Sequence, residues 1–184
     1  MKKFLLIVLI AMCYCSTQTT AQNIQNSYGA QDDKLATAEN IYEYLKNAGY
    51  NPVEEALKKH NSVVFYSKLS RGLIFIGVNY TSGFISIGQA VVETNEVTGS
   101  LKTVDFRTMG VGTGYILANA IMTMTEMVQA LYDKDSGALT FEIELPIMNM
   151  TEFKSYFGKC LNCIVSANDF LDRILNKAAD NTSK

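Results

Sequence analysis

The sequence of 184 residues carries 16 basic and 18 acidic side chains, which gives a formal net charge of −2 at pH 7. A chain of this length can form one domain with a core of its own. The mild and evenly spread acidity argues against a nucleic-acid-binding surface, which requires a basic stripe. Of the four cysteines, only Cys160 and Cys163 lie beyond residue 21, too few for a disulfide framework.

The N-terminus has the features of a secretory signal peptide over residues 1–21. Lys2 and Lys3 precede an apolar run over residues 4–12, and the small side chain of Ala21 suits cleavage after it. Removing this segment leaves 14 basic and 18 acidic residues, a formal charge of −4. We therefore expect export to the periplasm or the extracellular space, with no integral membrane segment after cleavage.

Two alternatives to cleavage after residue 21 stay open. Lipidation at Cys13 or Cys15 would anchor the chain, but Met12 and Tyr14 stand where a lipobox has a small residue. The other alternative is an apolar segment that is retained as an anchor.

The first predicted elements are two helices that follow a polar lead-in over residues 22–33, which we expect to be disordered. Asp32 or Asp33 caps the first helix. Pro52 suits the first position of a second, short helix that runs to about Lys59. The apolar face of the first helix is formed by Leu35, Ala38, Ile41, Tyr42 and Leu45.

Strands rich in β-branched and aromatic residues follow the helices and are separated by turn residues. The region 93–114 has no firm assignment beyond a turn and an edge strand over residues 101–106. A helix is predicted over residues 115–124. The three strands before this region cover residues 62–69, 73–80 and 84–92.

A hairpin and a long helix complete the chain. Strands over residues 127–132 and 138–146 flank a turn at 133–137, and the second strand alternates apolar and polar side chains until Pro146 ends it. Asn149 and Glu152 have the spacing of a capping box at the start of the helix. Its apolar stripe contains Phe153, Phe157, Cys160, Leu161, Ile164, Leu171 and Leu175.

These elements predict an α+β fold, a two-layer sandwich with a mainly antiparallel sheet of about five strands and helices on one face. The element order is α-β-β-β-α-β-β-α. Residues 34–177 are expected to form a single domain, and residues 178–184 a flexible tail.

The element order, together with Ala48-Gly49-Tyr50, the Asp-Ser-Gly hairpin before Phe141 and the closing helix, resembles the YbjN-like family. That family has been described as proposed sensory transduction regulators and is related in fold to type III secretion chaperones. The resemblance covers roughly residues 34–177. It implies a domain, often dimeric, that holds proteins or peptides. The signal peptide departs from the usual cytoplasmic setting of that family.

The candidate chemical groups all favour a structural role over catalysis. Cys160 and Cys163 lie inside a predicted helix instead of at its N-terminus, so they lack the environment of a redox pair. Glu142 and Glu144 fit the solvated face of a strand, and His60, the one histidine, lies in a polar run. The glycines of residues 110–114 lack the motif of a phosphate loop. We therefore predict no catalytic, metal-binding or cofactor-binding residues.

Six methionines cluster in the second half of the chain, and methionine is adaptable at surfaces that accept varied partners. We predict a binding face that includes Met122, Met124, Met148 and Met150, although ordinary core filling is the alternative.

Three hypotheses for function follow. The first is a non-catalytic, exported binding module for a protein or peptide, chaperone-like or regulatory, that forms a homodimer. The second is a small envelope enzyme whose carboxylates or cysteines meet in the fold. The third is a structural subunit of an envelope assembly.

Overall fold

The structure is a computed structural model that describes residues 34–94, 101–110, 112–125 and 127–182. The predicted signal peptide and the predicted lead-in over residues 22–33 lie outside the described residues. The described part of the chain contains helices α1 (Ala38–Asn47), α2 (Glu54–His60), α3 (Thr113–Met124) and α4 (Met150–Thr182). A 3-10 helix over Phe106–Met109 precedes α3.

Seven strands accompany these helices within the described residues. They are β1 (Ser62–Ser67), β2 (Gly72–Asn79), β3 (Phe84–Ala90), β4 (Val92–Thr94), β5 (Leu101–Thr103), β6 (Gln129–Tyr132) and β7 (Leu139–Pro146). Five of them form one sheet in the order β1-β2-β3-β7-β6, and β4 pairs with β5 separately. The predicted α+β class with an antiparallel sheet of five strands is confirmed.

Side-chain alternation determines which face of each strand is buried. In β7, Phe141 and Ile143 are buried while Glu144 is exposed. In the pairing of β6 with β7, Ala130 lies opposite Phe141 and Gln129 opposite Glu142. Residues directly opposite one another share a face of the sheet, so apolar and polar positions match across the hairpin. This agrees with the alternation predicted from the sequence.

Contacts divide the chain into two compact units. Within the described residues, the first unit comprises 34–67, Leu73–Ile87 and Glu144–Phe157. Its core contains an aromatic cluster in which the rings of Phe153 and Phe157 stack at 5.5 Å, and the ring of Tyr44 meets both edge-on. Such ring pairs stabilise a core beyond the apolar area that they bury.

The second unit comprises Lys68–Gly72, Gly88–Ile143 and the part of α4 that follows Phe157. In this unit α3 packs on β6. The turn between β6 and β7 is closed by a hydrogen bond from the Asp133 amide to the Ala138 carbonyl, at 2.9 Å. The single domain expected over residues 34–177 stays a prediction.

The start of α1 differs from the prediction. The helix begins at Ala38, and the hydroxyl of Thr37 caps it by accepting a hydrogen bond from the Asn40 amide at 3.2 Å. Leu35 instead forms an antiparallel bridge with Asn149. The prediction that Leu35 belongs to the helical stripe was wrong because this pairing with a distant segment holds residues 34–36 in an extended conformation.

The second helix and the chain end also differ in their bounds. Pro52 precedes the helix α2 instead of opening it, since Val53 is the N-cap and Glu54 the first residue. The long helix α4 continues to Thr182, into the segment predicted as a tail. The prediction of its start is confirmed, because the side chain of Asn149 accepts a hydrogen bond from the Glu152 amide at 2.8 Å. No helix within the described ranges has the length and apolar character needed to cross a membrane.

Candidate functional site

Helix α3 carries no charged residue along its 12 positions, although 18% of the chain is charged. It begins after Gly112, whose φ of +82° favours glycine, and ends at Met124, after which the Thr125 hydroxyl donates to the Ile121 carbonyl at 2.8 Å. A surface helix normally places charged residues on the face opposite its apolar stripe. The sequence of α3 provides none for that face.

One side of α3 is buried in the second unit. Gly114, Leu117, Ala118 and Ile121 are buried and recur at the spacing of a helical face. Gly114 lies so close to Tyr132 of β6 that a Cβ atom at this position would overlap the aromatic ring. This close approach fixes the orientation of α3 on β6.

The opposite side of α3 is exposed and apolar. Tyr115 is 52% exposed, Ile116 69% and Met122 43%, and the polar side chains of Asn119 and Thr123 are exposed among them. We call these five residues the α3 face. Single exposed apolar residues are ordinary, but several on one side of a helix without charged residues indicate an interaction site.

The orientation of the Tyr115 ring is set by a second aromatic side chain. Its ring meets that of Tyr132 edge-on, with the centroids 4.8 Å apart and the planes at 77°. About half of the Tyr115 side chain nevertheless stays accessible. A partly packed tyrosine loses little conformational entropy when a partner covers it, so Tyr115 suits a contact position.

Exposed methionines extend the apolar character beyond the α3 face. Met124 stands at the end of the helix, Met127 follows it, and Met109 ends the preceding 3-10 helix; all three are exposed. Because the methionine side chain is flexible, these residues can adjust to the shape of a partner.

The four methionines of the predicted binding face differ in their exposure to solvent. Met122 and Met124 are exposed, but Met148 and Met150 are each only 6% exposed. The Met148 carbonyl accepts a hydrogen bond from Ala36, and the Met150 amide donates to Lys34. Backbone pairing with residues 34–36 thus holds Met148 and Met150 in the core of the first unit, and the candidate face retains only Met122 and Met124.

Sequence reasoning missed Tyr115 and Ile116, which are more exposed than Met122. The number of methionines depends on residue type alone. The absence of charged residues over 113–124 is the signal that indicates an exposed apolar helix face. That signal was present in the sequence. What the sequence alone did not determine was which side of an almost uniformly apolar helix packs on the sheet.

The two cysteines have the environments expected of structural residues. Cys160 is completely buried, and both Cys160 and Cys163 are free thiols. Burial raises the pKa of the Cys160 thiol to about 11, with a further increase from Cys163 nearby. A thiol of such high pKa forms little thiolate at neutral pH and is a poor nucleophile.

The other candidates from the sequence differ in their exposure to solvent. Glu144 is exposed on β7, whereas Glu142 and His60 are half-buried. Gly110 and Gly112 adopt positive φ values in the connection to α3, a backbone conformation that favours glycine. Within the part of the chain that the structure describes, no group of three or more histidine, cysteine, aspartate or glutamate side chains is placed to hold a metal ion.

A buried polar network in the second unit was also missed. Gln89, only 1% exposed, donates from its amide to the Ser70 carbonyl at 3.1 Å and accepts from the amide of Asn168 at 3.3 Å. Beside it, Arg71 forms ion pairs with Asp172 at 3.1 Å and Asp169 at 3.7 Å. The network joins the β1–β2 turn to α4 and β3, which is a structural role.

Comparison with known proteins leaves the chain without an assigned family. No family model matches it, and no curated protein matches it. Its structure is similar to a crystal structure of YbjN from E. coli, which is described as a candidate transcription regulator. The TM-score is 0.49, and the two sequences are 13% identical. The similarity covers 76% of this chain and 92% of that chain. At this identity and TM-score the similarity assigns neither a family nor a function.

Proposed function

We propose that the protein is a non-catalytic binding module that receives a protein or peptide partner on the α3 face. The observation that carries this proposal is the solvent side of α3, where Tyr115, Ile116 and Met122 form an apolar stripe on a helix without charged residues. A soluble helix gains nothing in stability from such a surface, whereas a partner that covers it removes apolar area from water.

The energetics indicate a modest affinity for the helix alone. Fully burying a large apolar side chain contributes about 1.5–3 kcal/mol, so covering three side chains that are on average about half exposed contributes roughly 3–4 kcal/mol together. Association costs at least a similar amount in lost freedom of motion. Stable binding therefore requires that the partner also contact the exposed methionines at the ends of α3, Met109, Met124 and Met127.

A non-catalytic binding role agrees with the positions of Cys160 and Glu144, which the sequence analysis considered as candidate catalytic residues. Cys160 fills the core as a buried thiol of raised pKa, and Glu144 lies on the wet side of β7. These positions suit packing and solubility better than acid–base or nucleophilic catalysis.

We also propose that the module acts after export, because residues 1–21 have the pattern of a cleaved signal peptide. Mass spectrometry of the protein recovered from its native cell tests this proposal. An N-terminus at Gln22 in the extracytoplasmic fraction is expected. An intact N-terminal segment on cytoplasmic protein would contradict it.

The binding proposal is tested by selecting peptides from a random display library on the wild-type protein. The double variant Ile116→Glu/Met122→Glu places two charges on the α3 face, and Leu69→Glu is the matched control at another exposed apolar residue of the second unit, 64% exposed. Selected peptides should bind the wild type and the control equally and bind the double variant at least tenfold more weakly. Peptides that bind all three proteins equally, or an absence of binding peptides, would contradict the proposal.

A further inference from the structure

The side chain of Arg107 connects the 3-10 helix before α3 to the turn between β6 and β7. Its Nε and Nη2 atoms donate hydrogen bonds to the two carboxylate oxygens of Asp105, at 2.8 and 2.6 Å. Its Nη1 atom donates to the carbonyl of Asp135 in the turn. A guanidinium group has a planar fork of donors, so it can bind a carboxylate and a carbonyl at the same time. Arg107 therefore holds the turn together with Asp105, the N-cap of the 3-10 helix.

The backbone makes a second connection at the same place. The amide of Phe106 donates to the Gly137 carbonyl at 2.9 Å, and the Phe106 side chain is completely buried. A Cβ atom at position 137 would overlap the Asp105 carboxylate, so the glycine allows this carboxylate to approach the turn. We call the group formed by Asp105, Arg107, Asp135 and Gly137 the Arg107 clamp.

Helix α3 is attached to both of the elements that the Arg107 clamp joins. The hydroxyl of Thr113, the first residue of α3, donates to the carbonyl of Met109, the last residue of the 3-10 helix, at 3.2 Å. Tyr132, the last residue of β6, lies next to Gly114 and meets the ring of Tyr115. A shift of the 3-10 helix relative to the turn would therefore move the start of α3 relative to β6.

The charges around Arg107 indicate that its removal would act locally. The carboxylates of Asp105 and Asp133 and the Tyr132 hydroxyl lie close enough to act on the guanidinium. Lys102 acts on Asp105 from the other side of the 3-10 helix cap. The side chains of Arg107 and Asp105 are 50% and 34% exposed, so their ion pair adds little to the stability of the whole fold. Its main effect is on the position of the two elements that it joins.

We propose that Arg107 is a positioning residue for the α3 face. By joining the 3-10 helix to the β6–β7 turn, it fixes the start of α3 on β6 and with it the places of Tyr115 and Ile116. This inference rests on the proposed function, since it names a residue outside the α3 face that controls the affinity of that face. A binding surface that is held in one arrangement loses less conformational freedom when a partner binds.

Amide hydrogen exchange of the protein without a peptide tests the positioning step. The variants Arg107→Gln and Arg107→Lys both remove the fork of donors, but Arg107→Lys keeps the positive charge. Both should increase the exchange rate of the amides of residues 116–118 at least tenfold, because the start of α3 then opens more often. The amides of residues 160–164 in α4 should be unchanged, which excludes global unfolding as the cause.

The matched control is Lys134→Gln. It removes one positive charge from an exposed residue of the same turn and leaves the Arg107 clamp intact. This variant should show the exchange rates of the wild type. Circular dichroism confirms that all three variants are folded.

The affinity of the peptides selected on the wild-type protein tests the consequence for the site. Arg107→Gln and Arg107→Lys should each bind these peptides at least fivefold more weakly, and Lys134→Gln should bind them as the wild type does. The lysine variant should resemble the glutamine variant, because one ammonium group cannot replace the fork. A direct contact between Arg107 and the peptide would also weaken binding, but it would leave amide exchange of the protein without peptide unchanged.

Each remaining combination of results overturns the positioning role. Unchanged exchange in α3 would do so whether or not binding falls, as would faster exchange with unchanged binding. A lysine variant that matches the wild type would show that charge alone is sufficient. If peptides require the α3 face but not Arg107, this inference is wrong and the proposed function stands. If peptides bind Ile116→Glu/Met122→Glu as well as the wild type, both are wrong.

Discussion

Asn168 of α4 donates a hydrogen bond to the buried carboxamide of Gln89 in β3, at 3.3 Å. Gln89 in turn donates to the Ser70 carbonyl in the turn between β1 and β2, at 3.1 Å. The side chains of Asn168 and Gln89 thus connect α4, β3 and the turn between β1 and β2 within the second unit. Buried hydrogen bonds contribute modestly when they are complete, but the loss of one partner leaves the others unsatisfied and costs more.

Removing the central amide should therefore destabilise the fold. We expect Gln89→Ala to lower the free energy of unfolding by about 2–3 kcal/mol, since it leaves polar groups without partners and opens a cavity. Urea denaturation followed by circular dichroism measures this change. Asn168→Ala, which removes only an outer member of the network, is the control and should have a smaller effect. A loss below about 0.5 kcal/mol for Gln89→Ala would contradict this role.

Gly72 and Gln89 should show coupled effects on stability. A Cβ atom at position 72 would fall on the amide nitrogen of Gln89, so Gly72→Ala should destabilise the wild type by about 1–3 kcal/mol. In the Gln89→Ala background the obstructing amide is gone, and the same substitution should cost less than half as much. A double-mutant cycle by urea denaturation measures the coupling, and additive losses would show that the contact is unimportant.

Two glycines in helices should respond to alanine in opposite ways. A Cβ at Gly158 in α4 has no atom within 4 Å, and alanine is the better helix former, so Gly158→Ala should stabilise the protein by about 0.5–1 kcal/mol. Gly114→Ala in α3 is the matched comparison and should destabilise it, because the added atom overlaps the Tyr132 ring. Thermal unfolding of the two variants measures the change in Tm that each substitution causes. Equal shifts in Tm would contradict the packing of α3 on β6.

The turn between β6 and β7 should contribute a pH-dependent part of stability. The hydrogen bond from Arg107 lowers the pKa of Asp105, and the hydrogen bond from Ser136 lowers the pKa of Asp133. Arg107 also donates to the Asp135 carbonyl in this turn. A carboxylate with a lowered pKa in the folded state stabilises the fold above its unfolded pKa of about 3.9. This contribution is lost as the pH falls through the lower, folded value.

We therefore expect the Tm of Asp105→Asn to fall less than the Tm of the wild type between about pH 5 and pH 2. The variant should be the less stable protein at pH 7, and the difference should shrink in acid. Glu144→Gln, at an exposed acid on β7, shows what the loss of one negative charge does by itself. A constant difference between Asp105→Asn and the wild type at all pH values would be inconsistent with this linkage.

The cysteines should differ in reactivity. Cys160 is buried with a pKa of about 11, whereas Cys163 is partly exposed. An alkylating reagent at pH 8 should modify Cys163 in the folded protein and Cys160 only after denaturation. Peptide mapping by mass spectrometry identifies the modified residue. Rapid modification of Cys160 in the folded state would disagree with its place in the core.

The sequence predicted best those features that depend on neighbouring residues. Asn149 caps α4, and the Asp133–Gly137 turn closes the β6–β7 hairpin with Gly137 at a φ of +74°. Both depend on side chains and backbone within a few residues of each other. The strand alternation of β7 is also local, because successive side chains point to opposite faces.

Features that depend on distant segments were predicted less well. Leu35 has the spacing of a helical residue but pairs with Asn149, and this pairing also places Met148 and Met150 in a core. Gln89 looks out of place in an apolar strand until Ser70 and Asn168 are brought next to it. Pattern reasoning takes no account of such partners, so it misjudged the start of α1 and did not show that Met148 and Met150 are buried.

The central claim, that the α3 face is an interaction surface, is tested most directly by recording backbone amide NMR signals while a selected peptide is added to the wild-type protein. We predict chemical-shift changes at Tyr115, Ile116, Asn119 and Met122. The amide of Leu69, an exposed residue of the same unit, should not shift. Shifts that cluster elsewhere on the protein, or α3 signals that do not respond to the peptide, would contradict the claim.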